Sequence, residues 1–235
     1  MWDEKDITVK GMEAIKRCDS VYLESYTSKL NCSIEKLQQF HNKKIIKAGR
    51  EFVEDGNDIL SQAKEKNVAL LVIGDPFGAT THIDLKKRAL DDGIKVEIIH
   101  NASILNAIGS TGIDLYKFGK TTSIPFENRN ITSPLDAINL NQKQGLSTLV
   151  LFDLNPESNK FMHVKDAMTF LLDIGLEPET ICIGCSGIGS KEPEIKAGKA
   201  KTLKDEEFTL EPQCLVIPGK IHFIEEEMIK RYWIG

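Results

Sequence analysis

The stretch VALLVIGDPFGATTHIDL, residues 68–85, contains the transition that decides the fold. It begins with an apolar run that has the length of a buried strand. Gly74, Asp75 and Pro76 then end that strand, because Gly frees the backbone, Asp accepts hydrogen bonds from nearby N–H groups, and Pro blocks further strand pairing. A charged helical pattern follows from Ile83. The stretch therefore predicts a parallel strand, a built turn and a helix.

The same alternation of apolar runs and amphipathic helical patterns continues along the chain and predicts the α/β fold class. Further strands are predicted at SVYLE (20–24), KIIKAG (44–49), KVEIIH (95–100), TTSIPF (121–126), LSTLVLFDL (146–154), TICIGCSGI (180–188) and QCLVIPG (213–219). Helices are predicted at 8–18, from 33, and at 58–66, 83–93, 103–110, 133–145, 163–175 and 222–233.

Two domains are expected, because strands become more frequent and crossovers fewer after Gly112. The first, residues 1–117, is predicted to hold a largely parallel sheet with helices on both faces, and the second, residues 118–235, a mixed α/β sheet. A ligand site is expected in the cleft between them. The helix at 133–145 is expected to have Ser133 as its cap and Pro134 as its first residue.

The composition excludes several classes of protein. The net charge of −5 is spread along the chain, which disfavours nucleic acid as a partner. No apolar run approaches the roughly 20 residues of a membrane span, and the acidic start MWDEKDI lacks a signal-peptide pattern, so a cytoplasmic protein is expected. The five cysteines are scattered, and Cys182 with Cys185 lies in an apolar run, which predicts buried strand residues. The histidines show no metal-ligand spacing, so no metal site is expected.

Two loops follow predicted parallel strands and are candidates for ligand binding. In GDPFG, Gly78 and Ala79 would let a ligand approach the main chain, at the strand edge where α/β sheets bind ligands. The alternative is a plain turn with Thr80 or Thr81 as a helix cap. In HNASI (100–104), N–H groups at a helix start could hold a carboxylate or ribose oxygen, or Asn101 or Ser103 could simply be a cap. No phosphate-binding glycine motif is present.

Several motifs occur in a fixed order: WDEKDIT (2–8), VYLESYTS (21–28), GDPFGATTHIDL (74–85), HNASI (100–104), YKFGKTTSIPF (116–126), TSPLDAI (132–138), TLVLFDL (148–154) and IPGKIHFIEEEM (217–228). Together they resemble the diphthine synthase family in its archaeal form, a branch of the tetrapyrrole-methylase-like methyltransferases. The resemblance covers the whole chain. It implies a two-domain methylase, typically a homodimer, that uses S-adenosyl-L-methionine as methyl donor.

Carried over residue by residue, the resemblance implies a donor pocket formed by Met1, Asp75, Gly78, Ser103, Ile104, Phe152, Ile188 and Gln213. Two positions depart from the family pattern, since Gly78 replaces a bulkier apolar residue and Gln213 stands where a histidine is usual. Neither change removes an essential group if the contacts are mainly through the backbone.

The implied substrate is translation elongation factor 2 carrying a 3-amino-3-carboxypropyl histidine, whose amino nitrogen would be methylated to give diphthine. Orientation and desolvation carry most of such a transfer, and a dedicated general base is optional. The catalytic residues therefore stay unassigned. Candidate assistants are Asp75, Thr80, Thr81, His82, Tyr22, Glu24 and Tyr26, each of which could equally be a turn, cap or packing residue. Lys117 and Lys120 could contact the substrate or lie at the surface, and Glu225, Glu226 and Glu227 are expected on a solvated helix face.

Relatives usually open with an apolar strand and glycine turn of the form LYxIGLGL before the segment that begins here at Trp2. Its absence would leave a hole in the sheet and unpaired backbone groups on the neighbouring strands. We expect that translation begins upstream of Met1; the alternative is a real, impaired short form.

Two other functions stay open. A tetrapyrrole (precorrin-type) methyltransferase would share the fold, although YKFGKTTSIPF and ATTHIDL match the diphthine branch. A truncated, non-catalytic binding module for the donor or the elongation factor is the other alternative. Donor binding without methyl transfer would support it.

Overall fold

The computed structural model describes residues 2–235 and confirms the α/β fold class. The helices are α1 (Val9–Arg17), α2 (Ile34–His41), α3 (Arg50–Asp55), α4 (Asn57–Ala63), α5 (Ile83–Asp91), α6 (Ile104–Ala107), α7 (Ser133–Lys143), α8 (Val164–Asp173), α9 (Ala200–Leu203) and α10 (Phe223–Arg231). The strands are β1 (Ser20–Glu24), β2 (Ile46–Ala48), β3 (Val68–Leu71), β4 (Thr122–Ile124), β5 (Thr148–Phe152), β6 (Leu154–Asn155), β7 (Lys160–Phe161), β8 (Ile181–Ser186), β9 (Glu194–Lys199) and β10 (Gln213–Ile217).

The chain divides into two compact units. Unit 1 comprises residues 1–105 with 156–158, and unit 2 comprises 106–155 with 159–235. The functional division expected after Lys117 stays a prediction. Among residues 2–235, every helix is too short or too polar to cross a membrane.

Unit 1 is built on a parallel three-stranded sheet with the order β2-β1-β3. One cluster around Ile15, Val21 and Leu37 packs α1 and α2 against it, and a second around Tyr22 and Val53 packs α3. The helix starts follow the sequence signals. The hydroxyl of Thr8 accepts a hydrogen bond from Gly11 N at 3.0 Å and so caps α1. All three strands run the same way, so their carboxyl ends meet at one edge of the sheet.

Within the described residues, β3 lies at one edge of the sheet of unit 1. β3 pairs with β1 on one side and with no other strand of the described chain on its second side. KVEIIH (95–100), predicted as a strand, forms no strand within residues 2–235. That prediction is wrong because an extended segment becomes a strand only where a neighbour completes its ladder. A cavity of about 620 Å³ lies here, lined by β3 and by apolar side chains that include Ile94, Val96 and Ile98.

Unit 2 is built on a five-stranded mixed sheet with the order β4-β5-β10-β8-β9, which confirms the mixed sheet predicted for the second half. β4 is parallel to β5, whereas β10 is antiparallel to both β5 and β8. Its core is continuous across the sheet and α8, with Val150, Met168, Leu171 and Leu215 fully buried. Such a core explains the long apolar runs of this half of the sequence.

Unit 2 corrects one local prediction, the cap of α7, and confirms another, the burial of two cysteines. Thr132, not Ser133, is the N-cap residue of α7, so Pro134 occupies the second helical position. Cys182 and Cys185 are both buried in β8, as the sequence predicts. Within the described range, no group of three or more His, Cys, Asp or Glu side chains is arranged to hold a metal ion.

Candidate active site

The GDPFG turn in unit 1 is held by its own aspartate. Gly74 has φ +113°, a backbone conformation that favours glycine, and directs the chain away from β3. The Asp75 carbonyl accepts from Gly78 N at 3.1 Å, and Asp75 Oδ1 accepts from Phe77 N at 2.9 Å. The turn is therefore closed by main-chain and side-chain hydrogen bonds together, which is the usual way an Asp stabilises such a turn.

The second carboxylate oxygen of Asp75 connects this turn to the HNASI loop. Asp75 Oδ2 accepts from His100 Nδ1 at 2.8 Å and from Asn101 N at 3.2 Å. Burial opposes the charged form, but the hydrogen bonds from Phe77, His100 and Asn101 outweigh it and hold the pKa of Asp75 below its usual value. Asp75 is thus an ionised acceptor that joins the two loops. A contact between Asp75 and the methyl donor stays a prediction.

Gly78 and Ser103 form the second connection between the loops. A Cβ atom at Gly78 would lie 3.0 Å from Ser103 Oγ and 3.1 Å from Ser103 Cβ, so the main chain approaches that side chain closely. Ser103 is buried, and its Oγ accepts from Leu105 N at 3.3 Å, which makes it the cap of the short helix α6. Ile104, half-buried, begins that helix. The sequence prediction of one helix over 103–110 is corrected to α6 followed by a 3-10 turn, Ile108–Thr111.

The other predicted donor residues lie at one end of the sheet of unit 2. Gln213 begins β10 and is paired with Ser186, the last residue of β8, so Ile188 follows at the same end. Phe152 ends β5 beside β10, one step beyond the pair formed by Cys214 and Leu151. The antiparallel register therefore brings three residues that are distant in the sequence to one edge.

The side chain of Gln213 is already fully engaged within unit 2. Its Oε1 accepts from Val164 N at 2.8 Å, and its Nε2 donates to the carbonyls of Leu210 and Phe208 at 3.2 Å and 3.4 Å. Gln213 thus supports the start of α8. Phe152 and Ile188 are 8% and 9% exposed, respectively, so each offers an apolar edge. Met1, the remaining predicted donor residue, lies outside the described residues.

Three of the candidate assistants in unit 1 are structural. Glu24 is fully buried, and its carboxylate accepts from Tyr26 N, Thr27 N and the Thr27 hydroxyl at 2.6–2.7 Å. Tyr22 accepts from Gln62 Nε2 at 2.7 Å, and Tyr26 is buried. Glu24 therefore shapes the loop after β1, whereas Tyr22 and Tyr26 pack in the second apolar cluster of unit 1.

The assistants near α5 also differ from the predictions. Thr80 Oγ1 donates to the Pro76 carbonyl at 2.7 Å and does not cap the helix. His82 occupies the N-cap position, without a capping side-chain hydrogen bond, and Thr81 is exposed. The predicted threonine cap is therefore wrong at both positions.

Lys117, for which the sequence left a substrate contact or a surface position open, pairs in unit 2 with Glu225, which was expected on a solvated helix face. Glu225 is 2% exposed, and its carboxylate accepts from Lys117 Nζ, from His222 N at 2.7 Å and from Asp114 N at 3.1 Å. Lys117 Nζ also donates to the Lys220 carbonyl at 2.7 Å. These hydrogen bonds outweigh burial and keep the pKa of Glu225 below its usual value. The solvated-face prediction is wrong for Glu225.

One candidate that sequence reasoning missed is His100. The available signal was its position directly after an apolar run and before a predicted helix start, but its contact with Asp75 spans 25 positions of sequence. Only the folded chain shows that contact.

The family model for tetrapyrrole (corrin/porphyrin) methylases matches residues 2–204. A diphthine methyl ester synthase from Dictyostelium discoideum is 41% identical over 257 residues, covering 98% of this chain and 94% of that protein. A diphthine synthase from Methanosphaera stadtmanae is 39% identical over 240 residues, covering 97% and 91%.

Solved structures agree as well. A crystal structure of diphthine synthase matches with a TM-score of 0.93 at 35% identity, covering 99% of this chain and 92% of that chain. The fold, the ordered motifs and these similarities show that the chain belongs to the tetrapyrrole methylase family and, within it, to the diphthine synthases.

Proposed function

We propose that this methyltransferase transfers methyl groups from S-adenosyl-L-methionine to the 3-amino-3-carboxypropyl histidine of translation elongation factor 2, giving diphthine. The proposal rests on the observation that the GDPFG turn and the HNASI loop form one surface. Asp75 joins them through its hydrogen bond with His100, and Gly78 joins them through its close approach to Ser103. That surface lies at the carboxyl edge of a parallel sheet, where α/β proteins bind their ligands.

The residues present fit such a donor. Gly78 has no side chain, so the turn can pack directly against Ser103 of the HNASI loop, which places the main chains of the two candidate donor-binding loops side by side. Phe152 and Ile188 are apolar side chains at one end of the sheet of unit 2, and apolar side chains suit an adenosine without phosphates. When bound, the donor supplies an electrophilic methyl group on a positively charged sulfur. Met1, Asp75, Gly78, Ser103, Ile104, Phe152, Ile188 and Gln213 are the residues proposed to surround it.

The protein contributes to the reaction by orienting the bound substrate and by excluding water from its amine. Asp75 holds the turn and the following loop in one geometry, which limits the positions that a bound substrate can take. The amine must arrive neutral, in line with the bond that breaks and away from water. A carboxylate near the product, such as Asp75, also favours the positive charge that develops on nitrogen.

The test is incubation of the purified protein with methyl-labelled donor and elongation factor 2 that carries the aminocarboxypropyl histidine. We expect label on the factor, located to that histidine by peptide mass spectrometry. Alkaline hydrolysis then separates the possible products, because it releases an ester methyl, as the name of the Dictyostelium relative implies, and leaves N-methyl groups in place. Factor that lacks the aminocarboxypropyl group is the control.

Three other outcomes have distinct meanings. Calorimetric binding of the donor without transfer would indicate a binding module. Methylation of a corrinoid precursor in place of the factor would indicate a precorrin-type methylase. Complete absence of donor binding would reject the proposal.

Assembly and location follow from the same proposal. We propose a homodimer that acts in the cytoplasm, where its substrate works in translation. Light scattering coupled to size-exclusion chromatography tests the dimer, and a mass equal to one chain of 26.3 kDa would contradict it.

A further inference from the structure

We infer that His100 is a catalytic residue that accepts the proton of the substrate amine, with Asp75 as the positioning residue that orients its ring. This inference rests on the proposed function. It concerns a residue to which neither the sequence motifs nor the resemblance assigns a role. The geometry that carries it lies entirely within unit 1.

The hydrogen bond between His100 and Asp75 fixes which ring nitrogen carries the proton. Asp75 is ionised and accepts only, so Nδ1 of His100, 2.8 Å from Oδ2, must be the protonated nitrogen. The other ring nitrogen, Nε2, then carries a lone pair in the neutral ring. This is the arrangement by which a carboxylate prepares a histidine to act as a base in many enzymes.

The ring of His100 is held firmly but is open on one side. Asp75 is itself anchored, because Phe77 N donates to its Oδ1 at 2.9 Å and Asn101 N donates to its Oδ2 at 3.2 Å. The Phe77 ring meets the imidazole edge to face, with 6.3 Å between ring centroids. The His100 side chain is nevertheless 70% exposed, and no hydrogen bond to Nε2 is found among residues 2–235. Nε2 is therefore accessible to a substrate.

The position matches the chemistry that the reaction needs. His100 ends the segment 95–100 and lies beside the GDPFG turn, at the sheet edge where the donor is proposed to bind. Two other ionisable groups of unit 1 are less suitable, since Glu24 is fully buried and saturated with hydrogen bonds from its own loop, and His82 is only 7% exposed. His100 is thus the exposed, oriented base of this surface.

Before each transfer, the substrate ammonium gives one proton to Nε2 of His100, and the resulting imidazolium is paired with the Asp75 carboxylate. The nitrogen lone pair then forms the new N–C bond while the S–C bond breaks, and the electron pair of that bond stays on sulfur as a neutral thioether. The imidazolium returns its proton to water before the next transfer. No oxidant, reductant or further reactant is needed.

The experiment compares His100→Gln and His100→Ala with the wild type in the methyl-transfer assay on the modified elongation factor. Loss of a general base typically lowers a rate 10²- to 10⁴-fold. We expect kcat to fall about 100-fold while the calorimetric Kd for the donor stays within about twofold. Added imidazole should restore much of the rate of His100→Ala, because it can occupy the vacated position and take the proton. A merely structural role would not produce that rescue.

The matched control is His163→Gln. His163 is also an exposed histidine bonded to a carboxylate, with Nε2 3.1 Å from Glu211 Oε1, but it lies in unit 2. We expect its kcat to equal that of the wild type.

Two results would overturn the assignment. One is a His100→Gln rate within twofold of the wild type. The other is a loss that imidazole does not restore. In either case an active wild type leaves the proposed function intact, whereas an inactive wild type rejects the function and the inference together.

Discussion

Replacing Lys117 by Met should destabilise unit 2 because it removes the cation from a buried carboxylate. Glu225 is 2% exposed and would keep only its hydrogen bonds from the N–H groups of His222 and Asp114. Breaking a buried ion pair by removing one partner typically costs 3–5 kcal/mol. The Lys117 side chain is 20% exposed and two donors remain, so we expect the lower end, about 3 kcal/mol.

The assay is thermal and urea unfolding followed by circular dichroism. A loss of about 3 kcal/mol corresponds to a decrease in Tm of roughly 6–12 °C for a chain of this size. The matched control is Lys120→Met, because Lys120 lies three residues away and is exposed. The control should change the free energy of unfolding by no more than about 0.5 kcal/mol.

The pH dependence provides a second readout of the same pair. The folded-state pKa of Glu225 lies below its unfolded value, so its contribution to stability is present above the unfolded pKa of about 4.3. That contribution is lost as the pH falls through the lower, folded value. The stability difference between wild type and Lys117→Met should therefore be full at pH 7 and shrink below about pH 4. A Lys117→Met variant as stable as Lys120→Met at pH 7 would refute the buried-pair argument.

Further predictions concern packing and capping. Gly112→Ala should cost more than about 1 kcal/mol by calorimetry, because Gly112 has φ +87° and its added Cβ would lie 2.4 Å from Met228 Cβ; an unchanged Tm would contradict this. Gln213→Leu should lower the free energy of unfolding by about 2 kcal/mol, since it leaves the N–H at the start of α8 without its acceptor. Urea unfolding should show this loss with an unchanged m-value. Gly78→Ala should lower the free energy of unfolding by about 1 kcal/mol, because the added Cβ displaces Ser103. An unfolding midpoint equal to that of the wild type would show that the HNASI loop can move.

Much of the fold could be predicted because its signals are local. The turn at Gly74, the helix that begins after Ser33 and the buried strand around Cys182 each depend on neighbouring residues, and each is present. The prediction failed for residues 95–100, where an apolar run has the composition of a strand but lacks the neighbour that would complete one. Strand formation depends on a partner that may be distant in the sequence, so composition alone does not decide it.

The features of the candidate site also fall into two groups, those set by short segments of sequence and those set by the folded chain. The sequence by itself determined the α/β class, the turn at Asp75 and the membership that its ordered motifs indicate, because propensity, turn chemistry and motif order are properties of short segments. Only the tertiary structure decided that Asp75 holds His100, that the side chain of Gln213 supports α8, and that Lys117 pairs with the buried Glu225. Each of these contacts joins residues between 25 and 108 positions apart, and the hydrogen-bonding partner of a charged or polar group is set by packing and burial.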